Sequence, residues 1–235
     1  MKVLVIGGGI AGLVANWVLR MRIRNPPEVW VAEPGRLGGA FLDGGLKYLH
    51  RTDETAAMLA ALDIVYTNCT VLGGVLMGDE IQPYPSGLKQ LGADLAKRVR
   101  DDHYRKTRRT EPDGSAFAAR SMNDAESSGP RAALSCDLKA VIDKLKSFVV
   151  NQVYEPITRI EEKRAITAGG NVHMFDCCVV TIPLWLARGM VDFYIPEALA
   201  MKLNLVEVDT GRDRFARWDY VYTPYTPADL VHRIT

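Results

Sequence analysis

The chain has almost no surplus of either charge. Its 235 residues include 29 Lys+Arg and 28 Asp+Glu, so the overall balance points to neither nucleic acid nor an acidic membrane surface. Only a local cluster could favour either. Cysteine is scarce, limited to Cys69, Cys136, Cys177 and Cys178, and none forms a CxxC pair, which argues against a zinc site. Cys177 and Cys178 are neighbours in an apolar run. On a strand, neighbours point to opposite faces and are badly placed to bridge each other. The expectation is therefore reduced, buried thiols in a cytoplasmic protein. Long hydrophobic runs are also lacking. The nearest, residues 177–195, is interrupted by Pro183, Arg188 and Asp192, so no membrane-spanning helix is expected. A secretory leader is not expected either. Gly7, Gly8, Gly9 and Gly12 fall where its hydrophobic stretch should be, and Arg20, Arg22 and Arg24 follow where a small-residue cleavage site should be. No Ser-His-Asp or metal-ligand cluster stands out.

What the chain does have is 48% hydrophobic residues, enough for a substantial core. Residues 2–6, KVLVI, form a short apolar run of the kind that makes a parallel strand buried on both faces. A glycine turn follows. Residues 10–22 then read as a helix, with Ile10, Leu13, Val14, Trp17, Val18 and Met21 on one side, stopped by Asn25-Pro26-Pro27. Residues 28–33, EVWVAE, read as a second strand. This is a βαβ unit. Further on, the pattern predicts a helix over 53–62, hairpins over 64–82 around Gly73-Gly74 and Gly78-Asp79, and an amphipathic helix over 86–100. A polar loop or small subdomain is expected over 101–131, then a helix over 135–147. Strands are expected over 148–153, 157–166 and 171–181, and again over 198–208 and 217–223.

Gly7-x-Gly9-x-x-Gly12 follows the first strand and opens the helix, the context that gives such a motif meaning. Gly7 permits the tight turn, Gly9 lets a pyrophosphate approach the backbone, and Gly12 allows close helix–strand packing. Ile10 and Ala11 begin the helix, whose unpaired N–H groups and partial positive charge suit phosphate. Glu33 ends the second strand, where a carboxylate accepts hydrogen bonds from ribose hydroxyls and repels a 2′-phosphate. There is no second GxGxxG, so a separate NAD(P)H site is not expected.

After Glu33 and Pro34 come Arg36-Leu37-Gly38-Gly39 and then Gly44-Gly45. This resembles the extended dinucleotide-binding signature of FAD enzymes such as amine oxidases, protoporphyrinogen oxidase and UDP-galactopyranose mutase. The stretch from Gly45 through Lys47, Tyr48, His50 and Thr52 to Asp53 resembles the mutase-type segment beside the flavin. NVHMFDCCVVTIP, ending in Thr181, Ile182 and Pro183, is similar to the family's strand that closes the FAD domain. Val149-Val150 is similar to the strand whose backbone touches the adenine. Trp218 to Tyr222 and His232-Arg233-Ile234 resemble a late substrate-domain segment. The family's later Gly-Asp segment has no counterpart before Thr235, so the expectation is a reduced enzyme or a site completed by another subunit in a homo-oligomer.

The resemblance implies an α/β fold: a Rossmann-type FAD-binding domain over 1–75 and 135–190, with a smaller substrate or cap domain over 76–134 and 191–235. It implies FAD as cofactor, held by Gly7, Gly9, Ile10, Ala11, Gly12, Glu33, Pro34, Arg36, Gly38, Gly39, Lys47, Tyr48, Val150, Thr181 and Pro183. His50 is the first catalytic candidate, although Thr52-Asp53 also makes it a residue before a helix cap. Tyr222 and Arg233 follow; Arg233 suits a carboxylate or phosphate bidentately. Tyr84, Trp185, Trp218, Tyr220 and Tyr225 are either pocket-lining or core and rim residues. The run Lys97, Arg98, Arg100, Arg105, Lys106, Arg108 and Arg109 is a solvated face or a phosphate-binding patch. The expected activity is oxidation of an amine or amino-acid-like C–N group by hydride transfer to flavin N5. The alternatives are a small viral flavoenzyme acting on amino-acid-modified thymine in DNA, and a mutase-like non-redox flavoenzyme acting on a nucleotide-linked substrate.

Overall fold

The computed structural model describes residues 1–39, 48–77, 80–84, 131–192, 217–222 and 233–234. The helix expected over 86–100, the polar stretch to residue 130 and the strand expected over 198–208 lie outside the described residues. In chain order the elements are β1 (Lys2–Ile6), α1 (Ile10–Met21), β2 (Glu28–Ala32), β3 (Leu49–His50), α2 (Asp53–Ala61) and β4 (Tyr66–Val71). Then come β5 (Gly73–Met77), β6 (Glu80–Tyr84), β7 (Arg131–Cys136), α3 (Leu138–Ser147), β8 (Asn151–Val153) and β9 (Ile157–Ile160). The last are β10 (Arg164–Thr167), β11 (Val172–Met174), β12 (Cys177–Val180), α4 (Leu184–Ala187), β13 (Tyr220–Tyr222) and β14 (Arg233–Ile234). The chain divides into two compact units, Met1–Thr67 with Ser135–Glu207, and Asn68–Leu134 with Val208–Thr235.

The first unit is built on a four-stranded sheet of order β12-β1-β2-β8, parallel throughout. Counted by their place along this sheet's chain, the strands run fourth, first, second, third. That is the strand order of a doubly wound nucleotide-binding half, and its switch point lies between β1 and β12. The unbroken apolar sequence of β1 follows from its central place, because both faces are covered. Val3 and Val5 join Val29 and Val31 on the face where Ala15 and Leu19 of α1 pack. Leu4 and Ile6 join Ala32, Val153, Ile157, Ala165 and Phe175 on the other. That second face is roofed by an antiparallel meander, β9-β10-β11, which carries the chain from β8 across to β12.

The meander is where sequence patterning misread the chain. Residues 157–166 form a hairpin rather than one strand. Glu161 donates its N–H to the Arg164 carbonyl (2.8 Å), and its carboxylate accepts from the Arg164 guanidinium. Residues 171–181 are two strands separated by Phe175, which enters the core, and Asp176, which accepts the Lys2 N–H at 2.7 Å. The strand Arg131–Cys136 was also not foreseen, and α3 begins only after Asp137 caps it through the Ala140 N–H (3.0 Å). The cysteines are free, as expected, but not fully buried: Cys177 is exposed and the other three are partly buried. β12 is an edge strand of the sheet, which leaves Cys177 uncovered.

The second unit contains a sheet of order β14-β13-β5-β6. β5 and β6 form the expected hairpin, β13 runs parallel to β5, and β14 is antiparallel to β13. Gly73–Met77, assigned on sequence largely to the first domain, pairs here instead. Among the described residues, no helix is long and apolar enough to cross a membrane.

Candidate dinucleotide site

The site grows from the junction of β1 and α1. Gly7 has φ +110°, and a Cβ there would lie 2.7 Å from Thr181 Oγ1 and 2.9 Å from Ile182 Cγ2. Conformation and space both require glycine. A Cβ on Gly12 would lie 1.8 Å from the Gly7 carbonyl oxygen, so the helix could not seat on the strand end. Gly9 differs. Its φ is −69°, ordinary for any residue, and among the described residues nothing lies within 4 Å of where a Cβ would be. The fold leaves this place open.

That opening faces an uncapped helix. α1 has no side-chain cap and no acidic residue in its first turn. By contrast, α2 is capped by Thr52 accepting the Thr55 N–H (3.1 Å), and α3 by Asp137. The first-turn amides of α1, from Ile10 to Gly12, are thus offered to an anion rather than to the protein's own side chains.

Glu33 follows β2 directly. Its Oε2 accepts the Gly8 N–H (2.8 Å) and its Oε1 the Gly35 N–H (2.9 Å). The carboxylate therefore ties the glycine turn to the next loop, and each oxygen keeps acceptor capacity for a hydroxyl. The loop returns over the turn: Gly38 donates its N–H to the Gly8 carbonyl at 2.7 Å, and Gly39 comes within 3.5 Å of Gly9 Cα, measured from where a Cβ would sit. Gly38 and Gly39 have φ of +102° and +55°, which explains the pair chemically. Pro34 and Arg36 are exposed on this loop.

From far along the chain, Thr181 joins at the switch point. Its N–H and hydroxyl both donate to the Ile6 carbonyl (2.9 and 3.0 Å), and the hydroxyl also reaches the Gly7 carbonyl at 3.2 Å. Pro183 stands at the N-terminus of α4.

Several solved structures are similar in fold. The chain shares its fold with amine oxidases and UDP-galactopyranose mutase. Reduced UDP-galactopyranose mutase matches with TM-score 0.60 and 12% identity, over 99% of this chain and 69% of that one. Cyclohexylamine oxidase from Brevibacterium oxydans IH-35A matches with TM-score 0.58 and 13% identity, over 83% of this chain and 61% of that one. Putrescine oxidase bound to putrescine matches with TM-score 0.52 and 17% identity, over 82% of this chain and 61% of that one. The chain thus spans about three fifths of the length of these oxidases. No family model matches the sequence, and no curated protein does.

The remaining expected residues lie on other elements. Val150 precedes β8 and is 67% exposed. The register sets Asn151 opposite Trp30, so Val150 lies toward the start of the parallel strands, away from Glu33. At the Glu33 end, the strand contributes Val153, whose carbonyl accepts the Glu33 N–H at 3.0 Å, and Gln152, whose Nε2 donates to the Glu33 carbonyl at 3.1 Å. Gln152 was not anticipated, because a single amide on a strand belongs to no motif. Gly8 was also passed over. A Cβ there would lie 2.6 Å from Glu33 Cγ and Leu37 Cδ2, and the only sequence signal was the unbroken Gly7-Gly8-Gly9 run.

His50 is exposed at the end of β3, two residues before the Thr52 cap, and Tyr48 is half-buried just before that strand. Lys47, Gly44 and Gly45 lie outside the described residues, as do the basic run 97–109, Tyr225 and His232. Tyr222 and Arg233 belong to the second unit, where they are register partners across β13 and β14. Trp218 packs close to Gly74, within 3.2 Å of where a Cβ would sit, and beneath the Arg217 guanidinium, 4.6 Å from the ring centre. It is a packing residue of that unit. Trp185 is 51% exposed on α4. Among the described residues, no cluster of three His, Cys, Asp or Glu side chains could hold a metal ion.

Proposed function

We propose that the chain is an FAD-dependent oxidoreductase that oxidises an amine or amino-acid-like C–N substrate. The observation that carries the cofactor half is the open place at Gly9, before an uncapped α1 and beside Glu33. The residues fit an adenine dinucleotide without a 2′-phosphate. The α1 amides and the Gly38-Gly39 loop would hold the pyrophosphate, and Glu33 the ribose hydroxyls. Thr181 fixes the turn from below by its bonds to Ile6 and Gly7. When bound, the flavin would accept a hydride from the substrate.

His50, exposed at the end of β3, is the proposed acid–base group. Tyr222 and Arg233, neighbours by register, are the proposed substrate-binding pair, with Arg233 suited to a carboxylate. The oxidases among the similar structures include ones whose names specify cyclohexylamine and putrescine, which favours a C–N substrate. A second reading, a mutase-like activity on a nucleotide-linked sugar, is favoured by the 99% coverage in the match to UDP-galactopyranose mutase and by the His50 segment. The reading as an enzyme acting on modified DNA leans on the basic run 97–109, and no further observation supports it.

Anaerobic titration of the flavin-loaded protein separates these readings. Bleaching by amines or amino acids supports the oxidase. Turnover of a nucleotide sugar only after dithionite reduction supports the mutase, and a requirement for DNA supports the third. A purified protein that is colourless and does not take up added FAD refutes all of them.

A further inference from the structure

Glu33 must leave the sheet at a defined point if its carboxylate is to meet both Gly8 and Gly35. In an unbroken parallel ladder, the Glu33 N–H would donate to residue 153 and its carbonyl would accept from residue 155. The first of these bonds is present: the Glu33 N–H donates to Val153 at 3.0 Å. The chain then departs. Glu155 turns away to the meander, where its carboxylate accepts from Thr167 Oγ1 and, at 2.8 Å, from Asn171 Nδ2, and Pro156 follows. The Glu33 carbonyl instead receives Gln152 Nε2 at 3.1 Å. The side-chain amide stands in for the missing strand.

Two more amides secure the same segment. Asn151 Nδ2 donates to the Val29 carbonyl at 3.3 Å. Asn16, wholly buried on α1, donates from Nδ2 to the Phe148 carbonyl at 3.1 Å. Its Oδ1 has no partner among the described residues, an arrangement that costs stability. Residues 148–153 are thus tied to α1 and to both ends of β2 by three side-chain amides, in addition to the ladder.

We infer that Gln152 is a positioning residue for the nucleotide site: it holds the Glu33 main chain so that the carboxylate is presented to the ribose. The inference rests on the dinucleotide reading. The test is a double-mutant cycle on the full chain, with FAD and ADP as probes, read by fluorescence and calorimetry. Gln152→Leu removes the donor, and Gln152→Glu keeps the shape without the donor. Each is expected to raise the Kd of both probes about fivefold, the scale of one neutral hydrogen bond. Glu33→Ala is expected to raise it tenfold or more, by removing charged hydrogen bonds. In the Glu33→Ala background, Gln152→Leu is expected to have almost no further effect, because there is no carboxylate left to position. A purely structural Gln152 would lower thermal stability without this coupling. Equal weakening in both backgrounds, or none in either, overturns the inference. A wild-type chain that binds neither FAD nor ADP overturns the dinucleotide reading itself, and the inference with it.

Discussion

Gly9→Ala separates fold from ligand at one atom. The backbone there has φ −69° and ψ −179°, a conformation that alanine adopts without strain. Among the described residues nothing lies within 4 Å of the new methyl, so their packing is untouched and the thermal midpoint of the free protein should stay at the wild-type value. The methyl instead fills the space in front of the α1 amides. If a pyrophosphate sits there, it must retreat and lose at least one charged hydrogen bond, worth roughly 1.5–3 kcal/mol. Since each 1.4 kcal/mol is a factor of ten, the FAD Kd should rise by roughly 10- to 100-fold. Gly12→Ala is the opposite control. Its methyl would overlap the Gly7 carbonyl at 1.8 Å, so the free protein itself should be strongly destabilised. Circular dichroism melts of the free proteins and fluorescence titration with FAD read both effects. A Gly9→Ala protein that binds FAD with wild-type affinity would refute the assignment of the opening to phosphate. One that melts well below wild type would refute the claim that the opening is unused by the fold.

Three further outcomes are expected. His50→Ala should leave FAD affinity unchanged and lower kcat roughly 100-fold, as loss of an acid–base group does; wild-type turnover in both His50→Ala and His50→Gln would leave His50 no catalytic part. The Thr167 hydroxyl, then Asn171, the Gly169 N–H and nearby His173 hold the Glu155 carboxyl below the usual range. A depressed folded pKa gives stability that is present above the unfolded value, about 4.3, and lost as pH falls through the folded one. The difference in thermal midpoint between wild type and Glu155→Gln should therefore shrink from about pH 6 to about pH 3, and a constant difference would contradict the network. Burial, then the neighbouring Cys177, pushes the Cys178 thiol up to about 11, whereas Cys177 is exposed. Iodoacetamide at about pH 8 should label Cys177 first, and mass spectrometry showing preferential modification of Cys178 would oppose this placement.

The strand–turn–helix–strand frame of the candidate site was legible in sequence because its causes are local. An apolar run buried on both faces, a turn that excludes side chains and a carboxylate at the next strand end lie within residues 2–33. Each follows from sterics or burial that neighbouring residues impose on one another. What sequence left open was decided by pairing between distant segments. Apolar patterning can say that residues 157–166 are extended, but not that Glu161 and Arg164 close a hairpin there. It offered Val149-Val150 as the adenine strand, whereas the register of β8 on β2 carries Val150 to the opposite end and brings Gln152 and Val153 to Glu33. Thr181 reaches the Gly7 carbonyl across 174 positions, and β5 finds its parallel partner only at β13. Such contacts are set by which strand edges the meander and helices bring together. That is a property of the assembled sheets, since the alternation of apolar residues specifies the face a side chain occupies but not the strand beside it.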